Sequence, residues 1–263
     1  MPADDSRELF DVVDELTGEP LFVDDEGGGE VAEGSARAGD EGGEDGVEGI
    51  DDDDDAEEGK PSTSRNSRRK KKRLTVPRGV AHSTGTWHAS VYVHLSRATD
   101  GAFLLQRRSR EKDVCPLKWD LACSEHLSSG ESAAEAALRG LSEELGLAGI
   151  SAERLGDPLG PPRQAVLRIE GAEKDKPRVW DREVVRSFWL RNFFSSPEEE
   201  GEGEGEEKQD AIAIDEDEVE EVRWVSPSDL REEVESEDAG ERFTPWFLAE
   251  LRARPELLLQ QGG

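Results

Sequence analysis

A chain of 263 residues has room for one or two domains, but only 33% of it is hydrophobic, 37% is charged and the formal net charge is −30. That balance excludes one compact globule made from the whole length, because too little apolar surface is available to offset the entropy of ordering it. It also excludes a membrane span, since no apolar run approaches the roughly 20 residues required, and a disulfide framework, since Cys115 and Cys123 are the only cysteines.

In chain order, Leu9-Phe10-Asp11-Val12-Val13-Asp14 is a short apolar-acidic run suited to a strand. The residues ahead of it are acidic where a targeting segment would be basic or apolar, so a reducing cytosolic (cytoplasmic) or nuclear setting is expected. Residues 24–74 read as an unfolded insertion, with 17 acidic and 9 basic residues between Asp24 and Arg73. Its basic end, Arg65 to Arg73, fits a nuclear-import or polyanion-binding patch, and equally a solvated linker that partly neutralises the acidic run.

Order is expected to resume at Trp87 to Leu95, whose β-branched and aromatic content suggests a strand, followed after an Asp100-Gly101 turn by a second strand from Ala102 to Gln106. Ser132 to Leu145, rich in Ala, Glu and Leu, is predicted to be a helix capped by Ser132 and ended by Gly146. Ala165 to Ile169, Glu183 to Leu190 and Val222 to Val225 are further strand candidates. Between them, residues 197–218 read as a second disordered acidic insertion, with 14 acidic and 1 basic residue from Glu198 to Glu221. Phe243 to Leu259 is predicted to be helical, entered through Thr244-Pro245.

The stretch from Glu125 to Leu147, E-H-L-S-S-G-E-S-A-A-E-A-A-L-R-G-L-S-E-E-L-G-L, resembles the Nudix box, G-x5-E-x7-R-E-U-x-E-E-x-G-U. Gly130 lies in its loop, and Glu131, Arg139, Leu141, Glu143, Glu144, Gly146 and Leu147 stand at the family spacing. Two positions depart: Glu125 replaces the opening glycine, and Gly140 replaces the glutamate after the arginine. The resemblance implies an α/β fold, a Nudix-like α/β/α sandwich with a mixed sheet, formed by residues 1–23 and 75–259. It also implies a divalent cation, Mg²⁺ or Mn²⁺, and a small-molecule diphosphate substrate. Carboxylates suit that chemistry because a hard cation held by them neutralises phosphate oxygens. Glu143 and Glu144 diverge by about 100° on a helix, so only one can face a given centre squarely. Glu144 is expected to be that residue and to point into an open pocket. Glu125 is expected to replace the missing helix carboxylate, and Arg139 can pair with Glu135 one turn earlier or brace the box as in the family.

Phe10-Asp11-Val12-Val13-Asp14-Glu15, Leu104 to Ser109, Trp119-Asp120-Leu121 and Phe243 to Phe247 are similar to the branch that includes isopentenyl-diphosphate isomerase and its hydrolase relatives. By that resemblance Arg108 and Lys112 grip the diphosphate and Trp246 lies against the substrate, although Phe243 to Phe247 is equally explained as a helix start packing an aromatic into the core. His82, His88, His126, Asp181 and Glu183 are candidates for a five-ligand metal site. His82 is read as a surface residue, His88 and His126 as ligands or ordinary core histidines, and no partner is identified for His94. The isomerase's cysteine acid corresponds to Ser124, with Cys123 one residue off, and its third phosphate-binding cation corresponds to Gly140. A serine hydroxyl is too weak an acid to protonate an alkene unaided.

The expected activity is therefore hydrolysis of a diphosphate linkage, with Glu144, Glu143, Glu125, Glu183, His126 and His88 as metal-site candidates. Glu144, Glu143 and Glu183 are the groups expected to act on the reacting water. Isomerisation and a catalytically inactive binding module are the alternatives. The folded part is acidic and poorly suited to nucleic acid, the Arg65 to Arg73 block excepted.

Overall fold

Strands buried on both faces need a cover on each side, and this requirement sets the architecture. The computed structural model describes residues 8–24, 71–169, 179–193 and 212–259. Its elements are β1 (Leu9–Asp11), β2 (Phe22–Asp24), β3 (Lys71–Arg73), β4 (Thr75–Pro77), α1 (Arg78–Thr84), β5 (His88–Arg97), β6 (Phe103–Arg108), β7 (Trp119–Asp120) and β8 (Cys123–His126). They continue with α2 (Ala133–Leu145), α3 (Ala152–Leu155), β9 (Arg163–Ile169), β10 (Val179–Phe193), β11 (Val219–Val225), α4 (Pro227–Glu235), α5 (Ala239–Arg242) and α6 (Pro245–Ala253), closed by a 3₁₀ turn at Pro255–Leu257. Contacts divide the chain into residues 1–22 with 73–263, the unit described below, and residues 23–72, whose described residues lie only at its ends, in β2 and β3.

Seven strands form one mixed sheet, ordered β11-β6-β5-β10-β9, with β7 on β6 and β8 on β5. β10 runs parallel to β5, and the other pairs are antiparallel. Because side chains alternate along a strand, Val91, Val93 and Leu95 of β5 point to one face and join Ala136, Ala137, Leu141 and Leu145 of α2. Tyr92 points to the other face and joins Phe243, Trp246, Phe247 and Leu251 around α6. The result is the α/β/α sandwich.

α2 forms where expected for local reasons. Ser132 accepts from the Glu135 amide while Glu135 Oε2 accepts from the Ser132 amide at 2.8 Å, a reciprocal capping box. Gly146, at φ 68°, ends the helix in the left-handed conformation. Arg139 does not take up the local pairing with Glu135 and reaches Glu131, Glu125 and Glu143 instead.

Three expectations are corrected. Lys71–Arg73, placed in the first unfolded insertion, form β3, and Leu74 is tied to Leu21 by a backbone hydrogen bond of 2.9 Å; residues 25–70 lie outside the described residues. In the second insertion, Ile212 and Ile214 pack on the α2 side of the core, and the amides of Ala213 and Asp215 donate to the carbonyls of Leu145 and Glu144. Those bonds satisfy carbonyls that the end of α2 leaves free; residues 197–211 lie outside the described residues. The C-terminal helix stops at Ala253, because Pro255 cannot continue it. α1 was not anticipated: Arg78-Gly79-Val80-Ala81-His82-Ser83-Thr84 has no apolar period, and it has no side-chain cap.

Candidate active site

Three imidazoles meet where α1, β5 and β8 converge. His82 comes from α1, His88 opens β5 and His126 ends β8, with ring centroids 5.0 to 5.2 Å apart. Asp181 of β10 joins them, 3.3 Å from His88 Nε2 and 3.8 Å from His82 Nε2. One ligand atom from each of the four lies within 4.8 Å of all the others. His82 is thus brought into the cluster, correcting its reading as a surface residue. The fully buried Phe10 of β1 stacks on His88 and His126, each at 5.0 Å, and roofs the group.

These residues fit a metal. The Nε2 atoms of all three histidines and Asp181 Oδ1 are buried and have no hydrogen-bond partner, which is costly unless something else satisfies them. His88 Nδ1 lies 2.8 Å from the Thr86 carbonyl and can donate to it, which leaves the Nε2 lone pair facing the cluster. Burial, and then His126, push the His82 pKa down to about 3, and burial holds His126 well below its ordinary value. Neutral imidazole is the form that ligates. At His88 burial works the same way, but the Asp181 and Glu183 carboxylates outweigh it and raise the pKa. A nitrogen-rich donor set suits Mn²⁺ or Zn²⁺ better than Mg²⁺.

Glu183 pairs with His88 across the β10–β5 ladder, so both point to the same face. One of its oxygens accepts from the Tyr92 hydroxyl at 3.0 Å, and the other lies 3.0 Å from His126 Nε2. Beyond Tyr92 is Asp120, fully buried, accepting from Trp246 Nε1 at 2.7 Å, Thr244 Oγ1 at 2.9 Å and the Leu121 amide at 2.9 Å. Arg108 Nη1 lies 3.7 Å from the same carboxylate, and its guanidinium sits 5.1 Å over the Trp246 ring. Trp246 is buried in the core around α6 with its indole N–H committed to Asp120, as its reading as a packing residue has it. Lys112 pairs with Glu218. Burial, followed by Arg108, lowers its pKa, while Glu144 and Glu125 act in the opposite sense.

The box helix serves the opposite face of β8, because Glu125 and His126 are neighbours on that strand. Glu144 is buried, not in an open pocket: it is 6% exposed and held by Gln106 Nε2 at 2.8 Å. Glu125 lies beside it, and burial, then Glu125, push the Glu144 pKa well above the usual carboxylate range. Glu143 turns away, its side chain 58% exposed and 3.1 Å from Arg139 Nη1, as the 100° divergence predicts. Arg139 also donates to Glu131, Glu125 and the His126 carbonyl, so it braces the loop rather than Glu135. Glu131 in turn accepts from the Ser128 amide, and Asp11 of β1 accepts from Ser129 Oγ and the Gly130 amide at the loop's turn.

Residues 86–247 match the family model described as NUDIX domain. The chain belongs to the Nudix family. Isopentenyl-diphosphate Delta-isomerase of Cereibacter sphaeroides is 32% identical to this Nudix chain over 173 residues, covering 65% of it and 81% of the relative. Nudix hydrolase 3 of Arabidopsis thaliana is 38% identical over 78 residues, which are 30% of this chain but only 10% of that protein. Among solved structures, the MutT protein from Methanosarcina mazei Go1 is similar over 66% of this chain and 96% of that one, at 20% identity and a TM-score of 0.43.

Sequence reasoning missed Tyr92, Gln106 and Phe10 as site residues of this Nudix protein. A tyrosine and a glutamine among apolar strand residues were the available signal, since a buried polar side chain needs a partner. His94 has one after all, Glu250, at 3.6 Å.

Proposed function

We propose that this protein is a metal-dependent Nudix hydrolase that cleaves a diphosphate linkage in a nucleoside diphosphate derivative or a similar compound. The reading rests on the four unpartnered donor atoms of His82, His88, His126 and Asp181, gathered within 4.8 Å beside Glu183. A divalent ion held there would supply positive charge to phosphate oxygens and lower the pKa of water. Arg108 can meet a terminal phosphate as a planar fork and Lys112 as a point charge. Asp120 and Trp246 fix where the Arg108 guanidinium lies. Glu183 is the carboxylate suited to accept the proton of the attacking water, with the Tyr92 hydroxyl holding one of its oxygens in place.

The test is phosphate release from a panel of nucleoside diphosphate derivatives with Mn²⁺ or Mg²⁺. Glu183→Gln keeps the shape and removes the base, so the rate should fall by at least about 100-fold. A wild type that is inactive across the panel overturns the hydrolase, and one that also takes up no deuterium into isopentenyl diphosphate leaves the binding module.

A second reading, isopentenyl-diphosphate isomerisation, is favoured by the meeting of all five residues that resemble the isomerase's ligands. It lacks an acid. Ser124 stands opposite Tyr92 in the β8–β5 ladder, on the Glu183 face, while Cys123 is turned to the α2 side, fully buried, with burial holding its thiol well above the ordinary pKa. Deuterium uptake into isopentenyl diphosphate separates the two reactions.

A further inference from the structure

Ser90 is a serine under cover with nothing to bond. It is 1% exposed, and its hydroxyl oxygen is buried without a hydrogen-bond partner. The backbone around it is already taken up, because β5 lies between β8 and β10 and Ser90 is paired in both ladders, with His126 on one side and Val185 on the other. Burying an unpaired hydroxyl is unfavourable, and an alanine would fit the same strand without that cost. The hydroxyl is therefore free for a group from outside the chain.

Strand register gives its place. Side chains alternate along a strand, so His88, Ser90 and Tyr92 share one face of β5. Glu183 is paired with His88 and so lies diagonally across from Ser90, while His126 stands directly opposite it on the other flank. Ser90 is thus ringed by two imidazoles of the cluster, Glu183 and Tyr92, and none of them makes a hydrogen bond with its hydroxyl. Diagonal neighbours in a sheet stand roughly 7–8 Å apart, a gap that one water closes with a hydrogen bond at each end. Glu183 has room for it. One of its oxygens accepts from Tyr92 and the other lies 3.0 Å from His126 Nε2, whereas an ionised carboxylate offers about four acceptor positions. A cation would gain little from a neutral hydroxyl here; a water gains a donor in Ser90 and an acceptor in Glu183.

We propose that Ser90 holds the attacking water, its O–H donating to the water oxygen while the water donates to Glu183. This rests on the hydrolase reading and adds to it a residue that touches a reacting atom. The bond from Ser90 uses one lone pair of the water and leaves the other turned to the phosphorus. That lone pair forms the new P–O bond, one water proton passes to Glu183 and the other stays on the new phosphate oxygen. The bridging P–O bond breaks with its electron pair on the leaving phosphate.

Ser90→Ala in the full chain tests it, on the nucleoside diphosphate derivative that the wild type hydrolyses. Loss of one hydrogen bond to the reacting water should lower kcat by about 10- to 100-fold, with KM little changed. The melting temperature of the metal-free protein should stay level or rise, since the hydroxyl has no partner in the fold to lose. Ser90→Ala combined with Glu183→Gln should be about as slow as Glu183→Gln alone, because both residues act on one water. A kcat within about twofold of the wild type, a fall in kcat matched by a fall in melting temperature, or fully additive losses in the double variant overturns the proposal and leaves the hydrolase standing. A wild type that is inactive across the panel sinks both.

Discussion

Asp120→Ala is expected to destabilise the protein by about 3–5 kcal/mol, the range for breaking a buried charged group away from its partners. Asp120 is wholly buried and accepts from Trp246, Thr244 and the Leu121 amide, with Arg108 close by. Alanine removes the carboxylate, strands an indole N–H, a hydroxyl and a backbone amide together, and takes a counter-charge from Arg108. Chemical denaturation at neutral pH measures the loss; a change under about 1 kcal/mol would show that water takes over these contacts. The same carboxylate makes a pH prediction. Burial, working against Arg108 and the three donors, lifts its pKa from 3.8 to about 6. An acid whose folded pKa is raised contributes stability that is complete below the unfolded value and is lost as pH rises through the folded one. A shift of roughly two units corresponds to about 3 kcal/mol. The stability of the wild type relative to Asp120→Asn should therefore fall between about pH 4 and 7. A difference that stays flat across that window means Asp120 does not titrate there.

Glu250→Ala should cost a similar amount, on the order of 3–5 kcal/mol, for a reason unrelated to the site. Glu250 belongs to α6, is 0% exposed, and accepts from Ser187 Oγ at 2.6 Å, Arg254 Nε at 2.9 Å and Arg163, with His94 at 3.6 Å. Burial works against its charge, but His94, Ser187 and Arg163 prevail and hold the carboxyl well below the usual range. It ties the terminal helix to β5, β9 and β10. Its loss should lower the melting temperature while leaving Mn²⁺ affinity near that of the wild type, because His82, His88, His126 and Asp181 are not among its partners. A variant that melts like the wild type would mean that the arginines find other partners.

The box helix was legible because its signals are local: a serine cap with a glutamate three residues on, an alanine-leucine face and a terminal glycine all act within a few turns. The divergence of Glu143 and Glu144 follows equally from helix geometry. The strands at Trp87 to Leu95 and Glu183 to Leu190 were recognised by composition, the first within the ±1–2 residues by which boundaries vary, the second shorter than β10, which begins at Val179 and ends at Phe193. α1 was invisible, since a short helix containing glycine and β-branched residues has little intrinsic preference and is held by what it packs on. His82 was misjudged with it.

What the amino-acid sequence determined by itself is therefore the family, the box and the residue types able to hold a cation or a diphosphate. Motif spacing and helix periodicity are properties of neighbours along the chain. Tertiary structure alone decided which of those residues meet. It brought His82 of α1 to Asp181 of β10, turned Glu143 to solvent, set Asp120 under Arg108 and placed Glu125 in the space left by Gly140. Each of these depends on strand register and on the alternation of side chains across the sheet, where a shift of one residue would send every group to the wrong face.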